Sequence, residues 1–153
     1  MTSVGKLSLI RFNGQEIIYD IVSATVESNY MMDYDDVVFS IETASNPQQK
    51  FAGTEWFQGP ISAEFIARIS DFRWELLDSR RIEIPKGYDR ASKEYFTRLY
   101  YGEHLNPDNV VLNVARDGDK YRVRMSAECR DLNSYDGSKP NTKILLEALF
   151  DVM

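Results

Sequence analysis

Apolar and polar residues alternate along several stretches of the chain, and this alternation predicts β-strands. Near the N-terminus, "KLSLIRF" and "QEIIYDIVSATVE" flank Asn13-Gly14, a pair typical of a two-residue hairpin turn because both residues tolerate positive φ. Such a turn sets Arg11 opposite Glu16 and Leu9 opposite Ile18. A further alternating strand follows at "DDVVFSIET".

The stretch "NVVLNVARDGDKYRVRMSAECR" predicts a second hairpin. With Asp117-Gly118 as a two-residue loop, Val114 faces Tyr121 and Leu112 faces Val123, so apolar side chains meet on one face. A loop of odd length would mismatch those faces, because a slip of one residue turns every side chain over. The pattern therefore indicates turn chemistry at "DGD".

A metal-binding loop is the competing interpretation of "DGD". An EF-hand loop that began at Asp117 would require an oxygen ligand at its fifth position and glycine at its sixth. This sequence has Tyr121 and Arg122 there. We therefore predict no metal site and no cofactor in this chain.

Two segments fit a helix as well as a strand. Ile61, Phe65 and Ile69 recur at helical spacing in "PISAEFIARISDFRWELLDSRRIEIP", although the residues after Ser70 alternate as in a strand. We favour a helix over residues 62–70, followed by strands at 72–77 and 81–84. The segment "NTKILLEALFDV" (141–152) favours a helix by composition, with a fully buried strand as the alternative.

The segment "YDRASKEYFTRLYYG" predicts a more regular helix. Ala91, Tyr95 and Leu99 stack at intervals of four residues, Asp89 suits the N-cap, and Gly102 suits the C-terminal end. The fold class predicted from these elements is α+β: a predominantly antiparallel β-sheet built from hairpins, with two or three helices packed on it. Residues 1–153 are expected to form one domain.

Composition narrows the classes of function. The formal net charge of −6 argues against nonspecific binding of nucleic acid, and the chain has one cysteine, Cys129, which excludes an intrachain disulfide. No run approaches the roughly 18 apolar residues of a membrane-spanning helix, and the N-terminus lacks the apolar core of a signal peptide. We expect a cytoplasmic protein without a membrane partner.

Acidic residues concentrate in one region of the sequence. Between residues 27 and 55 there are six acidic residues and one basic residue. "MDYDD" resembles the Asp-x-Asp pairs that hold a metal ion, but acidic residues beside a strand are more often a solvated loop. Tyrosines are favoured anchors of protein interfaces, and negative charge speeds encounter with a basic partner. The preferred binding residues are therefore Tyr30, Asp33, Tyr34, Asp35 and Asp36.

Two further groups are weaker candidates. Arg122, Arg124 and Arg130 share the outward face of one predicted strand and form a second binding candidate, for an acidic partner or ligand. His104 is the only histidine, and with Glu103 it is a catalytic candidate.

These observations lead to two hypotheses. The first is a non-enzymatic binding protein: a small acidic domain that docks a protein partner, of the inhibitor, toxin-neutralising or adaptor type. The alternative is a small enzyme or ligand-binding domain whose cleft uses His104, Glu103 and Tyr101. A third hypothesis, a structural subunit of a larger assembly, would require an apolar patch or an unpaired strand edge.

Overall fold

Strands with one buried and one exposed face make up most of the chain. The computed structural model describes residues 2–47, 50–51, 54–55, 59–90, 93–132 and 138–153. Its strands are β1 (Gly5–Ile10), β2 (Glu16–Tyr30), β3 (Asp35–Thr43), β4 (Lys50–Phe51), β5 (Thr54–Glu55), β6 (Ser62–Ile69), β7 (Arg80–Ile84), β8 (Tyr88–Asp89), β9 (Glu94–Tyr95), β10 (Thr97–Tyr100), β11 (His104–Leu105), β12 (Asp108–Asp117), β13 (Lys120–Cys129) and β14 (Thr142–Val152).

Ten of these strands form one sheet, in the order β11-β10-β6-β3-β2-β1-β14-β13-β12-β7. Neighbouring strands are antiparallel, and β2 and β14 also pair in parallel over a short stretch. The sheet wraps around its own core, because β6 and β7 approach within 8 Å although they lie far apart in the strand order. One hydrophobic cluster takes side chains from strands across the whole sheet.

Gly5 lies where three strands converge. It pairs with Ile21 of β2 and with Ala148 of β14, and beyond it β2 and β14 meet directly. A Cβ atom at this position would lie 2.1 Å from the carbonyl oxygen of Glu147, far inside van der Waals contact. Glycine is therefore required here by close approach of the backbones.

The core is completed by a short 3₁₀-helix, Trp74–Leu77. Leu77 is fully buried, and the Trp74 ring stacks on Tyr121 with 6.2 Å between ring centroids. The Tyr121 hydroxyl donates to the Trp74 carbonyl at 2.8 Å. This helix therefore packs against the start of β13.

A buried ion pair lies elsewhere in the molecule. The Arg11 guanidinium donates to both carboxylate oxygens of Asp131, at 2.9 and 2.6 Å, and both side chains are almost fully buried. Thr142 also donates to Asp131, at 3.1 Å. This network ties the β1–β2 turn to the segment that follows β13, and a bidentate, hydrogen-bonded geometry is what a buried ion pair needs.

The prediction of an α+β fold with two or three helices is wrong. The described residues form an almost entirely antiparallel β structure, and their one helix has four residues. Residues 62–69 form strand β6 instead of a helix. Phe65 points into the core while Ile66 is buried on the opposite face, so the apolar pattern is that of a strand covered on both sides.

The predicted helix at "YDRASKEYFTRLYYG" is also absent. Its described part forms β8, β9 and β10, and Ala91 lies outside the described residues. Residues 74–77, predicted as strand, form the 3₁₀-helix, whereas the strand predicted at 81–84 is present as β7. The C-terminal segment is strand β14, with every second side chain from Ile144 to Phe150 buried.

The hairpin registers differ from the prediction in an informative way. The β12–β13 loop is Gly118-Asp119, one position later than predicted, so Val114 pairs with Val123. The pairs shift by two residues, and the predicted buried face is confirmed. In the β1–β2 turn the loop has three residues, because Arg11 pairs with Gln15. The predicted Leu9–Ile18 pair is therefore wrong by one residue.

Candidate functional site

The turn between β2 and β3 presents three apolar side chains to solvent. Met31 N donates to the carbonyl oxygen of Tyr34 at 2.8 Å, which leaves Met32-Asp33 as a two-residue loop. Tyr30 is 76% exposed and Met32 is 80% exposed, and Met31 beside them is also exposed. Large apolar side chains exposed together, beside a charged residue, mark an interaction surface more often than isolated ones do.

The backbone of this turn is strained. Met32 has φ of 82°, a left-handed conformation that side chains with a Cβ adopt at a cost. The other described non-glycine residues with positive φ are polar or charged: Asp71, Ser79, Lys93 and Asn109. Met32 is largely exposed, so burial of its side chain does not offset this strain, and strain retained at such a position is a reason to suspect function.

Arg68 of β6 supports the turn from the outer face of the sheet. Its guanidinium lies over the Tyr34 ring, with 4.0 Å between Cζ and the ring centroid. The same Cζ lies 5.2 Å from the centroid of the Phe96 ring. Its Nε lies 3.4 Å from Asp36 Oδ1, and its Nη2 donates to Asp89. We call this group, Arg68 with Tyr34, Asp36, Asp89 and Phe96, the Arg68 cluster.

The Arg68 cluster joins the turn to the small β8–β9 hairpin. That hairpin carries Tyr88 and Tyr95, whose rings lie 5.0 Å apart and are about half exposed. Asp89, between them in sequence, is the residue that pairs with Arg68. The exposed tyrosines of β8–β9 are thereby attached to the same region as Tyr30.

The structure divides the five predicted binding residues into two groups. Tyr30 and Asp33 are exposed, whereas Asp36 is buried and Tyr34 and Asp35 are half-buried. Tyr34 and Asp36 contact Arg68, and Asp35 accepts a hydrogen bond from Ser28. Internal contacts thus engage three of the five, which hold the shape of the turn, and the other two are available to a partner.

The three arginines of the second candidate are not one surface. Arg122 and Arg124 both approach Glu147 Oε1, at 3.9 and 3.5 Å. Arg130 lies eight residues along from Arg122, roughly 27 Å at strand spacing. The structure places Arg81 of β7 in the row of Arg124 instead, through the pairs that both make with Asn113.

The structure separates the residues of the candidate catalytic cleft. Tyr101 is fully buried, whereas Glu103 and His104 are exposed. His104 contacts the Tyr100 ring, with centroids 5.0 Å apart, and lines an open depression of about 310 Å³ with Glu64, whose carboxylate pairs with Arg98. A carboxylate already paired with a guanidinium is a poor general base.

Cys129 is buried on the core face of β13. Burial raises the pKa of its thiol to about 12, so the thiol stays protonated at neutral pH. Because the thiolate is the nucleophile, Cys129 is not equipped for covalent catalysis. Over the described ranges, no three His, Cys, Asp or Glu side chains come together in a way that would hold a metal ion.

Met31, Met32 and Arg68 were missed from the sequence as site residues. The signal for the methionines was available: two large apolar residues stand in a loop between strands, where polar turn residues are usual. Arg68 carried no such signal, since its role depends on strand pairing between β3 and β6.

No helix in the described part of the chain is long and apolar enough to cross a membrane. The chain matches no protein-family model, no curated protein and no solved structure.

Proposed function

We propose that this chain is a non-enzymatic binding protein that docks a protein partner through its β2–β3 turn. The single observation that carries the proposal is the pair of exposed apolar side chains, Tyr30 and Met32, at the tip of a long hairpin. An inhibitor, a toxin-neutralising protein or an adaptor would each use such a surface. A cytoplasmic location is part of the proposal and is supported by the lone, buried cysteine.

The chemistry of the turn specifies the complementary surface. Methionine is flexible and polarisable and adapts to an irregular apolar pocket, whereas tyrosine is a rigid anchor with a hydroxyl that can bind at the rim. Asp33 adds an exposed negative charge next to Met32 in the two-residue loop. The partner is therefore expected to present an apolar pocket with a basic rim.

The proposal is tested by partner capture with matched variants. The wild-type chain, the double variant Tyr30→Ser, Met32→Ser and a control, Asp119→Ser in the β12–β13 loop, are used to recover partners from the source cells. A protein retained by the wild type and the control but lost with the double variant is then purified for affinity measurement. Loss of two interface anchors should weaken binding by roughly 30-fold or more. Equal affinity for all three chains would remove the turn as the binding surface.

A small-ligand domain is the second candidate function, supported by the depression beside His104. Because His104 is the only histidine, its imidazole proton signals form a single NMR reporter of that depression. A screen of small acids, amines and sugars that moves those signals with saturation would favour this candidate, and a screen with no saturable shift would reject it.

A further inference from the structure

A second surface lies on the opposite half of the sheet, where outward side chains line up across the strands. The pairing of β7, β12, β13, β14 and β1 places one residue from each strand in a single row. That row is Arg81, Asn113, Arg124, Glu147 and Lys6. All five side chains point away from the core, and adjacent members are roughly 4.8 Å apart.

The arginines of this surface are weakly engaged by the protein itself. Arg124 is 72% exposed and lies 3.5 Å from Glu147, which Arg122 shares at 3.9 Å. Arg81 pairs with Glu83 at 2.9 Å, with both side chains largely exposed. Exposed pairs of this kind contribute at most about 1 kcal/mol each. Since a guanidinium has five N–H donors, most of the donors remain open to an incoming anion.

Two shallow depressions flank Arg124 and share it as a common wall. One, of about 440 Å³, is lined by Arg81, Ala115 and Arg122, and the other, of about 410 Å³, by Ser8, Ser126 and Leu145. Both also include Asn113, so the two are adjacent. We call the pair the arginine groove: beside its charged side chains it is lined by the small residues Ser8, Ala115 and Ser126 and by the half-exposed Leu145.

We infer that the arginine groove binds an extended peptide segment of a partner protein in which acidic and apolar side chains alternate. Arg122 and Arg124 are two residues apart on β13, so their side chains repeat at roughly 6.8 Å. Acidic side chains at every second position of an extended peptide repeat at the same distance. Each carboxylate can then meet one guanidinium in bidentate geometry.

The apolar half of the groove and the absence of rings distinguish a peptide from a nucleic acid. Leu145, which lines one of the two depressions, is nearly half exposed, which suits an apolar side chain of the same peptide. Among the described residues that line the two depressions there is no aromatic side chain on which a base could stack. An acidic, part-apolar peptide fits both features.

The test uses a fluorescein-labelled peptide of four Glu-Val repeats and fluorescence anisotropy. An ionic strength of about 0.1 M limits the reach of charge to about 10 Å, so that the groove rather than the net charge of the chain determines binding. Saturable binding is expected, and Arg124→Ala should weaken it at least about tenfold. Arg130→Ala, one residue beyond the end of β13 and outside the groove, is the control and should stay within about twofold.

Several outcomes would overturn the inference. Equal losses of affinity in Arg124→Ala and Arg130→Ala, or no saturable binding by the wild type, would show that the groove does not bind this peptide. Tighter binding of an eight-residue oligothymidylate than of the peptide would reassign the surface to nucleic acid. Self-association that Arg124→Ala abolishes would reassign it to a second copy of the chain. The variant Tyr30→Ser, Met32→Ser should bind the peptide as the wild type does, so this inference and the proposed function fail independently.

Discussion

The β2–β3 and β12–β13 hairpins have similar backbones and different chemistry at their tips. Each has a two-residue loop whose first residue has positive φ: 82° at Met32 and 66° at Gly118. The β12–β13 loop uses glycine, which adopts this conformation at no steric cost, and is flanked by charged residues. The β2–β3 loop uses methionine, with Tyr30 and Met31 exposed beside it.

The difference is between a turn whose residues suit its backbone conformation and a turn whose residues do not. Gly14 in the β1–β2 turn also has positive φ, at 84°, so two of these three turns follow the usual residue choice. The exception is the β2–β3 turn, where Tyr30 and Met32 are 76% and 80% exposed, against 42% for Phe12 in the β1–β2 turn. Places where a sequence breaks a local rule without a structural gain are expected at functional sites.

The largest effect on the free energy of unfolding is expected from Arg68, the residue that packs against the β2–β3 turn. Arg68→Ala removes a guanidinium that packs on Tyr34 and leaves the buried carboxylates of Asp36 and Asp89 without it. Because Arg68 is itself about one-third exposed, we expect a loss of about 2 kcal/mol in the free energy of unfolding, less than for a fully buried pair. Urea unfolding measures it.

Arg122→Ala is the matched change on β13. Its ion pairs are long and exposed, so the free energy of unfolding should change by no more than about 0.5 kcal/mol. Arg68→Lys, which keeps the charge but not the planar packing, should restore only part of the loss. Equal effects of Arg68→Ala and Arg122→Ala would mean that the Arg68 cluster does not support the turn.

A second, smaller effect is expected when the β12–β13 loop is given the residue of its counterpart. Gly118→Met places a Cβ in a left-handed conformation, and no atom lies within 4 Å of that Cβ. The cost is therefore conformational alone, about 1 kcal/mol, and is measured by the same unfolding experiment. A stability equal to that of the wild type would show that positive φ has no energetic cost in these turns. The contrast between Met32 and Gly118 would then carry no information about function.

The smallest effect concerns charge at the two tips. Asp33→Asn and Asp119→Asn should each leave the free energy of unfolding within about 0.5 kcal/mol, since both side chains are exposed. Once a partner is in hand, Asp33→Asn alone should slow association and reduce its dependence on salt. Stopped-flow mixing at several salt concentrations distinguishes the two variants, and identical rates would exclude a charge contribution from Asp33.

The sequence predicted which face of a strand is buried more accurately than it predicted which residues pair across two strands. The buried face of β12–β13 follows from alternation, which fixes parity, whereas the loop position depends on which residues take positive φ, so the pairs moved by two positions. At the β1–β2 turn, Asn13-Gly14 lies within a three-residue loop in which only Gly14 has positive φ. That choice between loop lengths shifted the register by one.

The predicted helices failed for a physical reason that the chain alone does not reveal. Strand β6 is apolar on both faces near Ile66, which is buried on the side away from the core cluster, and this produces an apolar spacing that resembles a helix. In β14, leucine at an exposed position, Leu145, interrupts the alternation of a strand. In both segments, pairing with neighbouring strands outweighed the local helix propensity.

The binding role of the acidic segment stays a prediction, but its surroundings in the structure differ from those expected from the sequence. The acidic segment did lie at a hairpin tip, yet three of its five residues contact the protein itself, because Arg68 is brought across from β6. The exposed methionines of the same turn were overlooked, because a sequence shows the charge of a residue directly but not its exposure.

The most direct test of the central claim is the free energy of unfolding of Met32→Gly. If Met32 is kept for binding at the expense of the fold, glycine should relieve the left-handed strain and raise the free energy of unfolding by about 1 kcal/mol. A stability that is unchanged or lower would mean that methionine serves the fold at this position, and it would contradict the proposal that the β2–β3 turn is a surface for a partner.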